Sequence, residues 1–355
     1  MSDAEPAAAQ PRVAEVSDDA TFWLSLAAQK RRLGLAARRL LADYTRASVA
    51  SLEEMQLLAL KGVPDLPAEW MNRLAHGALV TQGAESWNAK VRGHTVHRYA
   101  FAGKGKGPAV LLLHGLGGSS SSMAPVLPGL AQLVSRVELL DLPGHGRSEV
   151  PKTPLSAREY ADVLIGVIEE LARQTGGKVV LIGNSLGGAL ALLAAQERPE
   201  LIAGVVGLNP AGAQLSEEAL HVLPRAFADP NEGAARMAQL LFHRTPWLFW
   251  LVARDFARNW SSPTVQRILD DARAGVLGGA GADRSLGPER LAGIRAPVLI
   301  LWGQEDRLLP SSSPRDFARY IPGAKVELIP GCGHIPQVER PALTRRRVRA
   351  FLTRL

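Results

Sequence analysis

The chain has 355 residues, 46% of them apolar and 21% charged, which is enough to bury one large core and is typical of a packed globular protein. A formal net charge of +7 suits nucleic acid or an anionic surface, but no aromatic-rich RNA motif, zinc-finger spacing or lysine tail accompanies it, which argues against nucleic acid. The single cysteine, Cys332, excludes an internal disulfide, and the start MSDAEPAAAQ lacks the basic and apolar regions of a secretory signal, so a cytoplasmic location is expected.

Residues 1–17 are rich in Ala, Pro, Glu and Asp and read as a disordered leader. From Ser17 the pattern turns helical: Phe22, Leu26, Leu33, Leu40 and Tyr44 fall at three- and four-residue multiples, opposite Lys30, Arg31, Arg32, Arg38 and Arg39. A second helix is expected after the capping sequence Ser51-Leu-Glu-Glu54 and a third over Pro67 to Val80, with Gly62-Val-Pro64 breaking them apart. Residues 1–88 thus read as a leader plus a helical extension docked on the rest. The other role for the extension is a membrane-surface or partner-binding arm, because its first helix is basic and amphipathic.

From Val91 the period shortens to that of a strand, through Phe101. Continuous apolar runs follow at Pro108 to Leu113, Val137 to Leu140, Lys178 to Ile182, Leu201 to Leu208, Pro297 to Trp302 and Lys325 to Ile329, with helical patterns between them. Buried strands alternating with amphipathic helices imply a mostly parallel sheet with helices on both faces. The glycines of Gly103-Lys-Gly-Lys-Gly107 precede a strand instead of opening a helix, so a hairpin turn is expected there and not a dinucleotide loop; Gly176-Gly-Lys178 is likewise no phosphate loop. The gap from Leu208 to Pro297 is too long for one crossover. Residues 210–292 read as a helical cap inserted into a core made of 89–209 and 293–355. Arg345, Arg346, Arg347 and Arg349 are expected on the solvated face of the last helix.

The stretch Gly183-Asn-Ser-Leu-Gly187 sits between a buried strand and the helix former Ala189 to Leu193, and fits G-x-S-x-G. In that turn the serine occupies a strained position, here Ser185, with its hydroxyl offered to substrate. The backbone amide of Leu186 opens the helix and favours developing negative charge. A serine needs a base, and the base needs an orienting acid. Asp306, in Trp302-Gly-Gln-Glu-Asp-Arg307, lies past the end of one strand, and His334, in Pro330-Gly-Cys-Gly-His334, past the end of the next, giving the chain order Ser185, Asp306, His334. Of the eight histidines, His94 and His97 lie on the first strands, while His114 and His145 are expected to brace loops.

These motifs together resemble the α/β-hydrolases. His114-Gly-Leu-Gly matches the family loop that donates a second oxyanion amide, which implies that of Leu116, and Asp141-Leu-Pro-Gly-His-Gly-Arg-Ser148 matches its D-x-x-G-x-G-x-S turn. A serine at the elbow sets the chain apart from haloalkane dehalogenases, which use aspartate, and from polyester synthases, which use cysteine; Cys332 is read as a packed loop thiol. The GNS-x-GG elbow is similar to those of carboxylesterases and monoacylglycerol-type lipases, and of carbon–carbon hydrolases of ring-fission products. In the latter a tryptophan typically follows the catalytic histidine, where this chain has Ile335. The resemblance therefore implies a serine esterase or lipase working through a triad without metal or cofactor, on a small-molecule ester or lipid-like substrate. Trp247, Phe249 and Trp250 of the cap are candidates to bind an apolar acyl group, or to pack the cap on the core. The alternatives are carbon–carbon bond hydrolysis, acyl transfer on the same fold, or a binding module. Peripheral membrane contact would run through the basic helix or the cap. The oligomeric state is left open.

Overall fold

In the computed structural model, which describes residues 68–212, 230–246, 249, 253–274 and 286–355, the strand runs assemble into one eight-stranded sheet. Helix α1 (Ala68–Thr81) leads into β1 (Glu85–Val91), β2 (His94–Ala102), β3 (Ala109–Leu113) and β4 (Arg136–Asp141). Then α2 (Ala157–Thr175), β5 (Val179–Asn184), α3 (Leu186–Glu197) and β6 (Ile202–Leu208) alternate. Between β6 and β7 the described part of the insertion is helical, with α4 (Pro230–Leu241), α5 (Ala253–Trp260), α6 (Pro263–Ala274) and α7 (Pro288–Ala292). The chain closes with β7 (Val298–Gly303), α8 (Ser313–Tyr320), β8 (Lys325–Ile329), α9 (Pro336–Glu339) and α10 (Pro341–Leu352).

Strand order is β1-β2-β4-β3-β5-β6-β7-β8, antiparallel at β1/β2 and β2/β4 and parallel elsewhere. Unbroken apolar runs are needed in the central strands because both faces are covered. On β3, Leu111 and Leu113 enter one core with Tyr160 and Leu164 of α2 and Leu190 of α3, while Val110 and Leu112 enter the other with Met123, Val126 and Val348. Helix α3 is buried all round from Leu186 to Ala195, which explains a sequence with no polar face. Helix α2 starts with a capping box, Ser156 with Glu159, and ends at Gly176 in the left-handed region, so Gly176-Gly-Lys178 is a helix stop. Arg98 on β2 is fully buried because its guanidinium meets Glu138 at 2.5 Å and Glu170 at 2.7 Å, tying β2 to β4 and α2.

Three details differ from the sequence expectations. The sheet begins at Glu85, inside the segment read as the N-terminal extension, because Arg92 (φ 49°) and Gly93 (φ 86°) form a two-residue hairpin loop that splits the expected single strand in two. Gly103-Lys-Gly-Lys-Gly107 is no hairpin turn, since β4 lies between β2 and β3. The segment instead crosses the start of β4 in backbone contact: Gly103 N–H donates to Ser135 O, Lys104 N–H to Ala131 O and Gly105 N–H to Val134 O, and a Cβ at Gly103 would fall 1.9 Å from Val134 O. Arg345 and Arg347 are not simply solvated: Arg345 donates to Pro125 O at 3.0 Å and Arg347 pairs with Glu327 at 2.7 Å. The expected leader and the two helices before residue 63 lie outside the described residues, while α1 falls where the third was expected. Among the described residues no helix is long and apolar enough to cross a membrane.

Candidate active site

The turn from β5 to α3 holds Ser185 at φ 51°, ψ −118°, one of three positive-φ non-glycine positions among the described residues. Its backbone is pinned on both sides. Ser185 N–H donates to Leu208 O at 3.1 Å, and its carbonyl accepts from Ala189 and Ala211. The glycines two residues either side are required by space: a Cβ on Gly183 would lie 2.3 Å from Gly187 O, and one on Gly187 would lie 2.6 Å from His114 O and 2.7 Å from Leu113 O. Ser185 is less open than its motif suggests, being 9% exposed. Gly115 packs beside it, close enough that a Cβ there would sit 3.1 Å from Ser185 Cβ.

His334 and Asp306 meet directly. His334 Nδ1 lies 2.7 Å from Asp306 Oδ2, and Nε2, buried, has no partner among the described residues. An Nδ1–H donated to a carboxylate leaves Nε2 as a free base site. Asp306 is held by every lone-pair direction it offers: Oδ1 accepts the N–H groups of Leu308 and Leu309 at 2.9 and 3.1 Å, and Oδ2 also accepts from Asn209 Nδ2 at 2.6 Å. The loop of His334 is tied to the elbow by Asn184, whose Nδ2 donates to His334 O at 3.1 Å and to Leu208 O at 2.8 Å. The residue before Ser185 therefore fixes the backbone of His334 from 150 positions away. Ser185 Oγ itself makes no hydrogen bond to Nε2 in this arrangement; contacts of this kind commonly close only with substrate present.

Two glutamates brace the same loop. Glu305 accepts Cys332 N–H at 2.9 Å, and Glu339 accepts Gly333 N–H at 2.6 Å and Arg244 N–H at 2.9 Å. With His334 N–H donating to Leu241 O at 2.8 Å, the insertion is joined to the histidine loop at two points. Cys332 is buried, and that burial pushes its thiol up to about 12, as suits a packed thiol and not a nucleophile.

The loop after β3 is shaped by His114. Burial pushes this imidazole down to about 4, so it is neutral near pH 7; Nδ1 donates to Gly115 O at 2.8 Å and Nε2 accepts Leu142 N–H at 3.0 Å. Leu116 follows at the crest of the turn. Among the described residues neither the Leu116 N–H nor the Leu186 N–H meets an acceptor. The Asp141 to Ser148 turn supports this loop from below: Asp141 accepts Ser120 N–H at 2.7 Å and Arg147 N–H at 3.0 Å, and a Cβ on Gly146 would strike its carboxylate. His145 braces the turn through Pro143 O at 2.9 Å.

Of the aromatic candidates, Phe249 lies in a ladder of rings, Phe242–Phe249–Phe256–Trp260, with centroids 5.0, 5.6 and 6.0 Å apart, and packs against the core. Trp247 and Trp250 lie outside the described residues. At the end of the ladder Asn259 donates to Gly117 O at 3.0 Å, so the insertion also holds the loop of Leu116. The aromatic content of this segment signalled a hydrophobic cluster. The roles of Asn184, Asn209 and Glu339 had no such signal, because each depends on a partner remote in sequence.

Residues 108–341 match the family model described as the alpha/beta hydrolase fold. The chain is 28% identical over 254 residues to the 2-(acetamidomethylene)succinate hydrolase of Mesorhizobium japonicum, covering 70% of this chain and 89% of that one. Among solved structures it is similar to a membrane phospholipase A described as a bacterial virulence factor, with a TM-score of 0.66, 23% identity and coverage of 92% of this chain and 98% of that one. The carboxylesterase CesB of Bacillus subtilis gives a TM-score of 0.64 at 17% identity, over 80% of this chain and 97% of that one.

Proposed function

Because the chain belongs to the alpha/beta hydrolase fold family, we propose that it is a serine hydrolase of carboxylic esters with an apolar acyl part, and that Ser185, His334 and Asp306 are its triad. The observation that carries the reading is the buried His334–Asp306 pair, 2.7 Å apart with Nε2 free, tied through Asn184 to a serine held at positive φ. In the reaction Ser185 Oγ attacks the ester carbonyl while Nε2 takes its proton, and Asp306 holds the imidazole and balances its charge. The carbonyl oxygen, now anionic, is received by the N–H groups of Leu116 and Leu186, each worth about 3 kcal/mol by analogy with measured oxyanion donors. His334 then returns the proton to the departing alkoxide. Water, deprotonated by the same nitrogen, attacks the acyl-serine, releases the carboxylic acid and restores the serine.

The insertion supplies the argument for an apolar acyl group. Trp260, at the end of its ring ladder, lies against Gly117 in the loop of Leu116, so an acyl chain on the carbonyl carbon would run toward an aromatic segment and gain about 0.8 kcal/mol for each methylene it buries there. The likeness to a phospholipase and a carboxylesterase agrees with this substrate class. The test is hydrolysis of p-nitrophenyl esters from acetate to palmitate by the wild type and by Ser185→Ala. Serine-dependent turnover is expected, with kcat/KM rising about threefold or more per added methylene until the pocket is filled. Turnover confined to acetate, or insensitive to chain length, counts against the apolar acyl site. Turnover that survives Ser185→Ala, or none on any ester, counts against the whole reading.

A further inference from the structure

Asn209, directly after β6, is fully buried and stands at φ 41°, in the left-handed region that asparagine tolerates better than most side chains. Its N–H donates to Leu301 O at 2.9 Å, its Oδ1 accepts Gly303 N–H at 2.9 Å, and its Nδ2 donates to Asp306 Oδ2 at 2.6 Å. One residue thereby joins the end of β6 to the end of β7 and to the acid beyond it. The oxygen it contacts is the one that accepts His334 Nδ1, while the other oxygen is taken by Leu308 and Leu309. Turning the carboxylate away from the imidazole would break contacts at both oxygens.

The chemistry of the position calls for an amide. Gly303 N–H needs an acceptor and Asp306 Oδ2 needs a second donor, and one short side chain must supply both. Leucine would leave two buried groups unpaired. Aspartate would serve Gly303, but once ionised it would set a second negative oxygen against Oδ2.

We propose that Asn209 is a positioning residue of the Ser185–His334–Asp306 triad: its amide holds Asp306 Oδ2 on the imidazole of His334, so that Nε2 faces Ser185. The inference rests on the triad reading given above. Asn209→Asp tests it, because a protonated carboxyl can still donate to Asp306 whereas a carboxylate repels it. Two carboxyl groups sharing one site hold one proton well above the ordinary carboxylate range. Among the described residues His334 is bonded to Asp306 and Cys332 lies near it, both from the loop after β8; Glu305 and Glu339 accept N–H groups of that loop, and Arg340 faces Cys332. The Cys332 thiol is pushed up to about 12 by burial, and Glu305 is bonded to Cys332 N–H.

The experiment is a pH series of kcat/KM on an ester for the full-length wild type, Asn209→Asp and Asn209→Ala, with proton NMR of the downfield His334 Nδ1–H signal in the same samples. The ratio of Asn209→Asp to wild type is expected to fall about tenfold from about pH 5.5 to about pH 8.5, through kcat and not KM, as the shared proton is lost. The His334 signal is expected to fade over the same interval in the variant alone. Asn209→Ala, lacking the donor in any state, is expected to be about tenfold or more weaker at every pH. A pH-independent ratio for Asn209→Asp, with the His334 signal as in wild type, overturns the proposal and leaves Asn209 a brace between strands. The NMR signal needs no turnover. Absence of serine-dependent hydrolysis in the wild type would therefore sink the triad reading, while the signal would still decide what Asn209 does to the His334–Asp306 pair.

Discussion

Ser185→Gly is expected to abolish ester turnover and to raise the thermal midpoint. On the proposed mechanism, loss of the serine hydroxyl should lower kcat by about 10⁶-fold, the scale seen when the serine of a triad is removed, with residual rate from the proposed oxyanion donors alone. The gain in stability has a separate cause. Ser185 is held at φ 51°, ψ −118° by hydrogen bonds from its N–H to Leu208 and to its carbonyl from Ala189 and Ala211. A non-glycine residue in such a region costs about 1–3 kcal/mol, and glycine adopts it without a Cβ clash. Against this stands the greater freedom of glycine in the unfolded chain, about 0.5–1 kcal/mol. A net gain of about 1 kcal/mol, or roughly 1–2 °C in midpoint for a chain of this size, is expected. Ser185→Ala is the comparator: equally inactive, but still strained, and so without the gain. A midpoint unchanged or lowered in Ser185→Gly relative to Ser185→Ala would mean that the elbow stores no strain.

Gly187→Ala is expected to destabilise the fold by about 3 kcal/mol or more. Its Cβ would lie 2.6 Å from His114 O and 2.7 Å from Leu113 O, and these are backbone atoms of β3 and of the loop that leads to Leu116. No rotamer change can relieve such contacts. Helix α3 would have to withdraw from the sheet, carrying the Leu186 N–H away from the Leu116 N–H, so residual activity should fall further than residual stability explains. Gly177→Ala makes a fair control, since a Cβ there would meet nothing within 4 Å. Urea unfolding of both variants reads the difference, and equal midpoints would contradict the close-approach account of the elbow glycines.

Much of the fold is legible in the sequence because parallel strands covered on both faces must be apolar throughout, and that composition is visible one strand at a time. The positions of Ser185, Asp306 and His334 just past strand ends are legible in the same way, because local glycines and loop chemistry mark them; that His334 and Asp306 meet is visible only in the fold. What stays hidden is whatever depends on neighbours distant along the chain. Gly103 to Gly107 has the composition of a hairpin turn, and only the position of β4 between β2 and β3 turns it into a close crossing. Arg92-Gly93 is a tight hairpin loop without the asparagine that usually announces one. Asn184 and Asn209 look like polar residues at strand ends, and find their partners only when the chain after β8 and β7 brings His334 and Asp306 beside them. Motif position likewise does not show how far Ser185 is buried, since the close approach of Gly115 depends on the neighbouring strand.

The most direct test of the account is reaction of the wild type and of His334→Ala with a fluorophosphonate, followed by mass measurement of the intact chain and its peptides. The account predicts one adduct per wild-type chain, carried on Ser185, and its near absence in His334→Ala, because the hydroxyl reacts only when Nε2 takes its proton. An unlabelled Ser185, or labelling undiminished without His334, would contradict it.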